Sequence, residues 1–235
     1  VLLAGHAAFA AHERRSPIRF LLLGGACGLA ALARAELVLL LPLLVVAAVW
    51  GAVGWKRRAV AGGTAVLAAC VVLAPWVGFN LLRFDDRTFV STNDGIALLG
   101  SNCDPVYGGG GIGLTDLGGC LPSRFPPGDQ SVVAAEFRHR ALDYMSAHRG
   151  RLPAVVAARI GRTWGLFRPG DMITYNTGEG REQWVTRLGY AVYFPTLVAA
   201  VIGAGLLGRR RQRFALAVLL APAVAVTVGV AVTYG

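Results

Sequence analysis

Apolar residues in this chain are gathered into runs long enough to cross a bilayer, and short basic connections join the runs. Residues 37–55, 59–79, 188–207 and 214–235 carry no charged side chain, and 18–33 is a shorter run rich in Gly and Ala, broken only by Arg19. Roughly 17–25 apolar residues suffice to span a bilayer as a helix, because only a helix satisfies its own backbone groups there. Residues 1–11 read as the last part of a further apolar helix.

Charge follows the same division. The net charge is +10, yet residues 80–187 hold 12 Arg against 11 acidic residues and are close to neutral. The excess lies in three connections: Arg14, Arg15 and Arg19; Lys56, Arg57 and Arg58; and Arg209, Arg210, Arg211 and Arg213. This is the pattern of cytoplasmic loops in membrane proteins and needs no nucleic acid as partner. With the three basic connections inside, residues 34–36 and 80–187 fall outside, and successive spans alternate without conflict. A re-entrant hairpin of 18–33 and 37–55 gives the same topology. The expected fold is an all-α polytopic membrane protein of the cell membrane. It has transmembrane helices over 1–79, an extracytoplasmic segment of mixed helix and loop over 80–187, and two C-terminal spans over 188–235. No basic region precedes residues 1–11, so a signal peptide is not expected. Both ends read as cut within apolar runs, so the chain is expected to be a piece of a longer protein.

The outside segment opens with 81–125, rich in Gly, Asn, Asp and Pro, which reads as an irregular loop with room for short strands. Asp129 is a suitable N-cap for a helix from Gln130 to about His148, with Val133, Phe137, Leu142, Tyr144 and Met145 on its apolar side and Gly150 as its stop. Pro153 opens a second helix to about Phe167, with Val155, Val156, Ile160, Trp164 and Phe167 apolar and Arg159 and Arg162 polar. Such a helix suits the membrane surface, and Trp164, Phe167, Trp184 and Tyr190 suit the interfacial belt. Cys27 and Cys70 lie in apolar runs, whereas Cys103 and Cys120 share the outside loop, where a disulfide is favoured over two free thiols.

Soluble-enzyme signatures such as a Gly-Lys-Ser/Thr phosphate loop or a His-Glu-x-x-His helix are absent, no metal-ligand set is recognised, and the 108–113 glycine run reads as a flexible loop. Arg34 and Glu36 suit either an interfacial anchor or a lipid-phosphate or sugar site. Arg159, Arg162 and Arg168 suit either a solvated or snorkelling face or phosphate contacts. Asn93, Asp94, Asn102 and Asp104 sit where turn chemistry alone would explain them.

The order of these motifs resembles a known family. Leu32-Ala33-Arg34-Ala35-Glu36 followed by Leu39-Leu40-Leu41-Pro42, then Pro75-Trp76, Asn80, Ser91-Thr92-Asn93-Asp94-Gly95 and Leu99-Gly100-Ser101-Asn102-Cys103-Asp104-Pro105, is similar to the motif series of membrane-embedded glycosyltransferases of the C type (GT-C) that use polyprenyl-phosphate sugars. These include the family 39 protein mannosyltransferases and the aminoarabinose-transferase relatives. Ala35 stands where that family has Pro, Asp94 where it has Gly and Cys103 where it has Asn. The resemblance implies transfer of a sugar from a polyprenyl-phosphate donor to a protein or glycan acceptor on the outer face, among membrane lipids. It assigns Arg34 to the donor phosphate with Glu36 beside it, and Asn93, Asp94, Asn102 and Asp104 to the substrate cleft. Arg159, Arg162 and Arg168 are further phosphate contacts, and a divalent metal ion is an optional aid to the leaving group. The catalytic residue is unknown: the family's Asp is expected upstream of Val1. A lipid-linked oligosaccharide ligase or polymerase, a transporter and a non-catalytic scaffold are the other functions compatible with the same plan.

The topology has a direct check. A cysteine placed at Gly110 should react with an impermeant reagent added from outside, and one at Gln212 should be spared; the reverse pattern overturns the orientation.

Overall fold

The computed structural model describes residues 1–13, 16–50 and 54–232. Arg14 and Arg15 of the first basic connection, residues 51–53 of one expected span and residues 233–235 of another lie outside the described residues. Every regular element among the described residues is helical. In order these are α1 (Leu2–Glu13), α2 (Pro17–Ala33), a 3-10 turn (Ala35–Leu39), α3 (Leu40–Val49), α4 (Trp55–Arg83), α5 (Asn93–Gly100), α6 (Leu117–Cys120), α7 (Gln130–Ala147), α8 (Leu152–Thr163), α9 (Pro169–Gly178), α10 (Gln183–Arg209) and α11 (Arg213–Val232). Two further 3-10 turns, Asp104–Val106 and Gly109–Gly111, lie between α5 and α6. The fold is all-α, and no strand occurs in 81–125 among the described residues, against the expectation of short ones.

Among the described residues three helices are long and apolar enough to cross a membrane: α4, α10 and α11. At 1.5 Å per residue the 29-residue α4 is about 43 Å long, well over the roughly 30 Å of a hydrocarbon core. Its ends therefore reach beyond the core, with Lys56–Arg58 in the first turn and Asn80–Arg83 in the last. Pro75 sits inside α4, where it withholds one backbone bond. The expected boundary at residue 79 is displaced by one turn, because Asn80 continues the helix. Its amide Nδ2 donates to the Phe89 carbonyl at 3.1 Å, and Trp76 Nε1 donates to the Val90 carbonyl at 2.8 Å, folding 84–90 back over the helix end.

The run expected as one span over 37–55 is not one helix. The chain is 3-10 over Ala35–Leu39 and α-helical only over Leu40–Val49, and Trp55 already belongs to α4. Pro42 accounts for the late start: it falls in the first turn of α3, where its missing N–H leaves no helical bond unmade. Trp50 is extended and closes the helix.

The chain divides into two compact units, 1–91 with 204–226, and 92–203 with 227–235. In the first, α1 presents Ala4, Ala7, Ala8 and Ala11, a stripe at helical spacing, to a core formed with Phe20, Leu23, Leu40 and Leu44. Its central seam joins α2 to α4. Gly24 faces Ala65, and Gly28 faces Ala69 and Val72, so the two helices run parallel with their backbones in contact. A Cβ on Gly24 would run into the carbonyl of Ala65. This is small-residue packing four positions apart on each helix, the geometry that brings membrane helices closest.

In the second unit, α5 packs on α7 through Leu99, Val133, Phe137 and Ala141. Asp129 caps α7 as expected from its sequence position, accepting from the backbone N–H of Ser131 at 2.8 Å and Val132 at 3.2 Å. Leu142 is exposed rather than part of the inner face, which Ala134 and Ala141 complete. Cys103 and Cys120 form a disulfide with a Cα separation of 5.7 Å, tying the turn after α5 to α6.

The seam makes a stability prediction. Gly24→Ala should cost about 1–3 kcal/mol by forcing α2 off α4, whereas Gly63→Ala, which meets nothing within 4 Å, should be neutral. Detergent-titrated unfolding of the two variants measures the difference; equal stability would show that the seam is loose.

Candidate functional site

The first group of expected site residues sits at the junction of α2 and α3. Arg34 leaves the helix with an extended backbone (φ −150°, ψ 122°), its N–H still bonded to the Ala30 carbonyl while its own carbonyl accepts from Leu37. Glu36 then falls in the first turn of the next helical stretch, where a carboxylate suits the exposed N–H groups. Arg34 Nε lies 2.6 Å from Glu36 Oε1 in an ion pair, with the arginine side chain 66% exposed and the glutamate 19%. The pair sets a largely exposed guanidinium beside a mostly covered carboxylate.

The second group lies in the other unit, and the structure assigns it a different place from the sequence reading. Arg159 and Arg162 are on the inner face of α8, not its polar face. With Val155 and Ala158 they form the buried stripe, and Arg159 is only 1% exposed. Arg159 Nη2 donates to the Ser101 carbonyl and, at 3.0 Å, to Asn102 Oδ1. Arg162 donates from Nε to the Ile112 carbonyl at 2.8 Å and from Nη2 to the Gly110 carbonyl at 2.7 Å. Arg168 Nη1 reaches the Gly109 carbonyl at 3.2 Å, and Arg151 Nη2 the Tyr107 carbonyl at 2.7 Å. Four guanidinium groups from one stretch of chain therefore hold the backbone of 101–112. The glycine run expected to be a free loop is tied at its carbonyls, and Gly113, at φ 76°, lies so close to the backbone of α8 that a Cβ would meet Arg159 N at 2.7 Å.

Charge is balanced unevenly among these arginines. Asp171 pairs with Arg168 at 2.7 Å and with Arg162 at 3.5 Å. Arg159 has no carboxylate partner, and its Nε has no hydrogen-bond partner among the described residues. Burial pulls the pKa of Arg159 and of Arg162 below the ordinary arginine value, Asp171 opposing the shift at Arg162. Tyr107 Oη donates to Asn102 Oδ1 at 2.6 Å, and burial raises its pKa against the pull of Arg159. Neutral dipoles thus carry most of the stabilisation of the Arg159 charge.

The four residues expected to line a cleft separate. Asn102 is fully buried, its Nδ2 donating to the Leu98 carbonyl at 2.7 Å, so it is part of the scaffold. Asn93 and Asp94 open α5, which replaces the expected polar loop, and Asp94 accepts from Arg138 Nε at 2.9 Å. Asp104 is exposed and accepts from Tyr144 Oη at 2.7 Å. Tyr144 stacks on His148 at 4.0 Å and meets Tyr107 edge-on at 4.9 Å. Burial first, then the Asp104 carboxylate, raise the Tyr144 pKa, so the phenol stays protonated as a donor. Arg151, Tyr107, Tyr144 and Asp171 were not singled out as site residues from sequence; Arg151 and Tyr144 reach partners 44 and 40 residues away, which no local pattern marks, whereas Asp171 lies three residues from Arg168 and Tyr107 five from Asn102.

No group of three or more His, Cys, Asp or Glu side chains that could hold a metal ion occurs among the described residues, so the donor set does not fit the optional divalent ion. The chain matches no protein-family model, no curated protein and no solved structure.

Arg159→Lys tests the scaffold. Lysine keeps the charge but cannot reproduce a planar fork onto Ser101 and Asn102, so the variant should lose about 1.5–3 kcal/mol of stability. Protease protection of 101–115 should fall with it; unchanged protection would mean that the loop is held without this arginine.

Proposed function

We propose that the protein is a polytopic membrane glycosyltransferase of the GT-C type, transferring a sugar from a polyprenyl-phosphate donor to a protein or glycan acceptor on the extracytoplasmic face. The observation that carries this reading is the Arg34–Glu36 pair at a helix break between two short apolar helices, with the Arg34 side chain 66% exposed. Apolar helices on either side suit a lipid tail, and a fork of two N–H groups suits a phosphate. Membrane residence is supported by the three long apolar helices. Within the first unit His12 at the end of α1, Trp50 at the end of α3 and Arg213 at the start of α11 line one groove, so these three helix ends lie together, as alternating spans require.

The reaction is displacement at the anomeric carbon: the acceptor oxygen bonds to it, the bond to the phosphate oxygen breaks, and the lipid phosphate leaves with the electron pair. Arg34 would stabilise the charge that develops on that phosphate, and Glu36 would hold the guanidinium in place. Taken by itself, the second unit offers Asp104 as an exposed carboxylate with Tyr144 donating to it, a group that suits a sugar hydroxyl. No described residue is assigned the acceptor's proton.

Arg34→Lys and Arg34→Ala in the full-length protein separate this role from anchoring. A phosphate ligand needs the fork, so both variants should lose transfer activity at least about 100-fold while still inserting and accumulating normally. An anchor needs only a long cationic stem, so wild-type turnover in Arg34→Lys would remove the phosphate role.

A further inference from the structure

A second lipid-facing feature lies at the opposite end of the first unit from the Arg34 break. A groove of about 510 Å³ runs between α3 and α11, with His12 of α1 beside it. On α11 its lining falls at Arg213, Phe214, Ala217, Leu220, Ala221 and Val224, one helix face, and on α3 at Leu43, Val46, Ala47 and Trp50, again one face. The polar groups are confined to one end. Arg213 is exposed and is the lining's one arginine. His12 is stacked on Phe214 at 3.8 Å with its Nδ1 bonded to the Ala48 carbonyl at 3.2 Å, which fixes the ring at the mouth.

From Arg213 to Val224 the groove follows about 16 Å of helix, which is half of a roughly 30 Å hydrocarbon core. A cation at the mouth and a single leaflet's depth of apolar wall is the shape of one phospholipid: phosphate at Arg213, an acyl chain along Ala217 and Leu220. We propose that this groove is a binding site for an anionic phospholipid of the inner leaflet, distinct from the donor site at Arg34. The inference rests on the membrane orientation given under Proposed function. Anionic character is selected by charge: Arg213 continues the run Arg209, Arg210 and Arg211, and no acidic side chain lines the groove. The occupant is a lipid and not an added helix because Arg213 stands exposed at the mouth of an otherwise apolar groove, where a lipid phosphate complements its charge and an apolar helix does not.

Native mass spectrometry of the full-length protein, titrated with phosphatidylglycerol and phosphatidylcholine of matched chains, tests it. The wild type should bind phosphatidylglycerol about fivefold more tightly, the ratio that one arginine at a membrane surface supports. Arg213→Gln should bring the two lipids to parity, and Ala217→Trp should reduce binding of both by filling the groove. Arg210→Gln, outside the lining, should keep the preference. Equal binding of the two lipids by wild type, an unchanged preference in Arg213→Gln, or no retained lipid overturns the site. Carbonate extraction separates this failure from failure of the membrane reading: a protein that stays in the membrane pellet but shows no lipid preference loses the groove proposal alone, and one released into the supernatant loses both.

Discussion

Backbone contact between α2 and α4 organises the first unit, and in the bilayer proposed for it burial of apolar surface would give helices no reason to associate. Lipid tails are as apolar as leucine, and association must come from close packing and hydrogen bonds. Gly24 and Gly28 allow the approach to Ala65 and Ala69 that supplies it. The remaining helices take their places from that seam: α1 lays its alanine stripe on α2, and α3 returns along α4 with Val45 against Gly62. The break at Arg34 follows Gly28 by six residues, so the seam also sets where the Arg34–Glu36 pair emerges. A shift of α2 against α4 would move the cation with it.

The second unit is held by a different interaction, arginine forks on backbone carbonyls. A loop rich in glycine has few side chains to bury and would be expensive to order from its own contacts. Arg151, Arg159, Arg162 and Arg168 supply charge-assisted bonds in their place, and the Cys103–Cys120 disulfide limits the chain's freedom further. The cost is a buried guanidinium at Arg159 without a carboxylate, visible as a pKa drawn down by burial. The carbonyls engage all four of these arginines, although Arg159 Nε keeps no partner among the described residues. Asp104 and Tyr144 pair nearby, with the carboxylate exposed.

Features set by neighbouring residues were legible in the sequence. Asp129 caps α7 through N–H groups two and three positions on, and Pro153 sits in the first turn of α8, so local rules found both. The apolar runs located every helix of the first unit, but hydropathy does not mark where a helix ends, and the 37–55 run hides the stop at Trp50. Arg159 and Arg162 read from sequence as a solvated or snorkelling face or as phosphate contacts, because a polarity pattern assigns arginine outward. Their position at the spacing 155, 158, 159 and 162 belongs to the inner face, and the carbonyls that satisfy them lie about fifty residues away. The Gly24 and Gly28 pair was visible as composition, but its meaning required its partners on α4. Asn102 was read as a cleft residue because its motif resembles one, whereas its amide is consumed by Leu98 and Tyr107.

The central claim is the proposal that this protein recognises a phosphate-bearing polyprenyl lipid as its substrate. The measurement closest to it is equilibrium binding of a polyprenyl phosphate and of the neutral polyprenol with the same tail to the full-length protein in nanodiscs. The account predicts saturable binding of the phosphate lipid, competed by a polyprenyl-phosphate sugar, with the neutral alcohol bound far more weakly. Equal binding of the two lipids, or binding of neither, would contradict it.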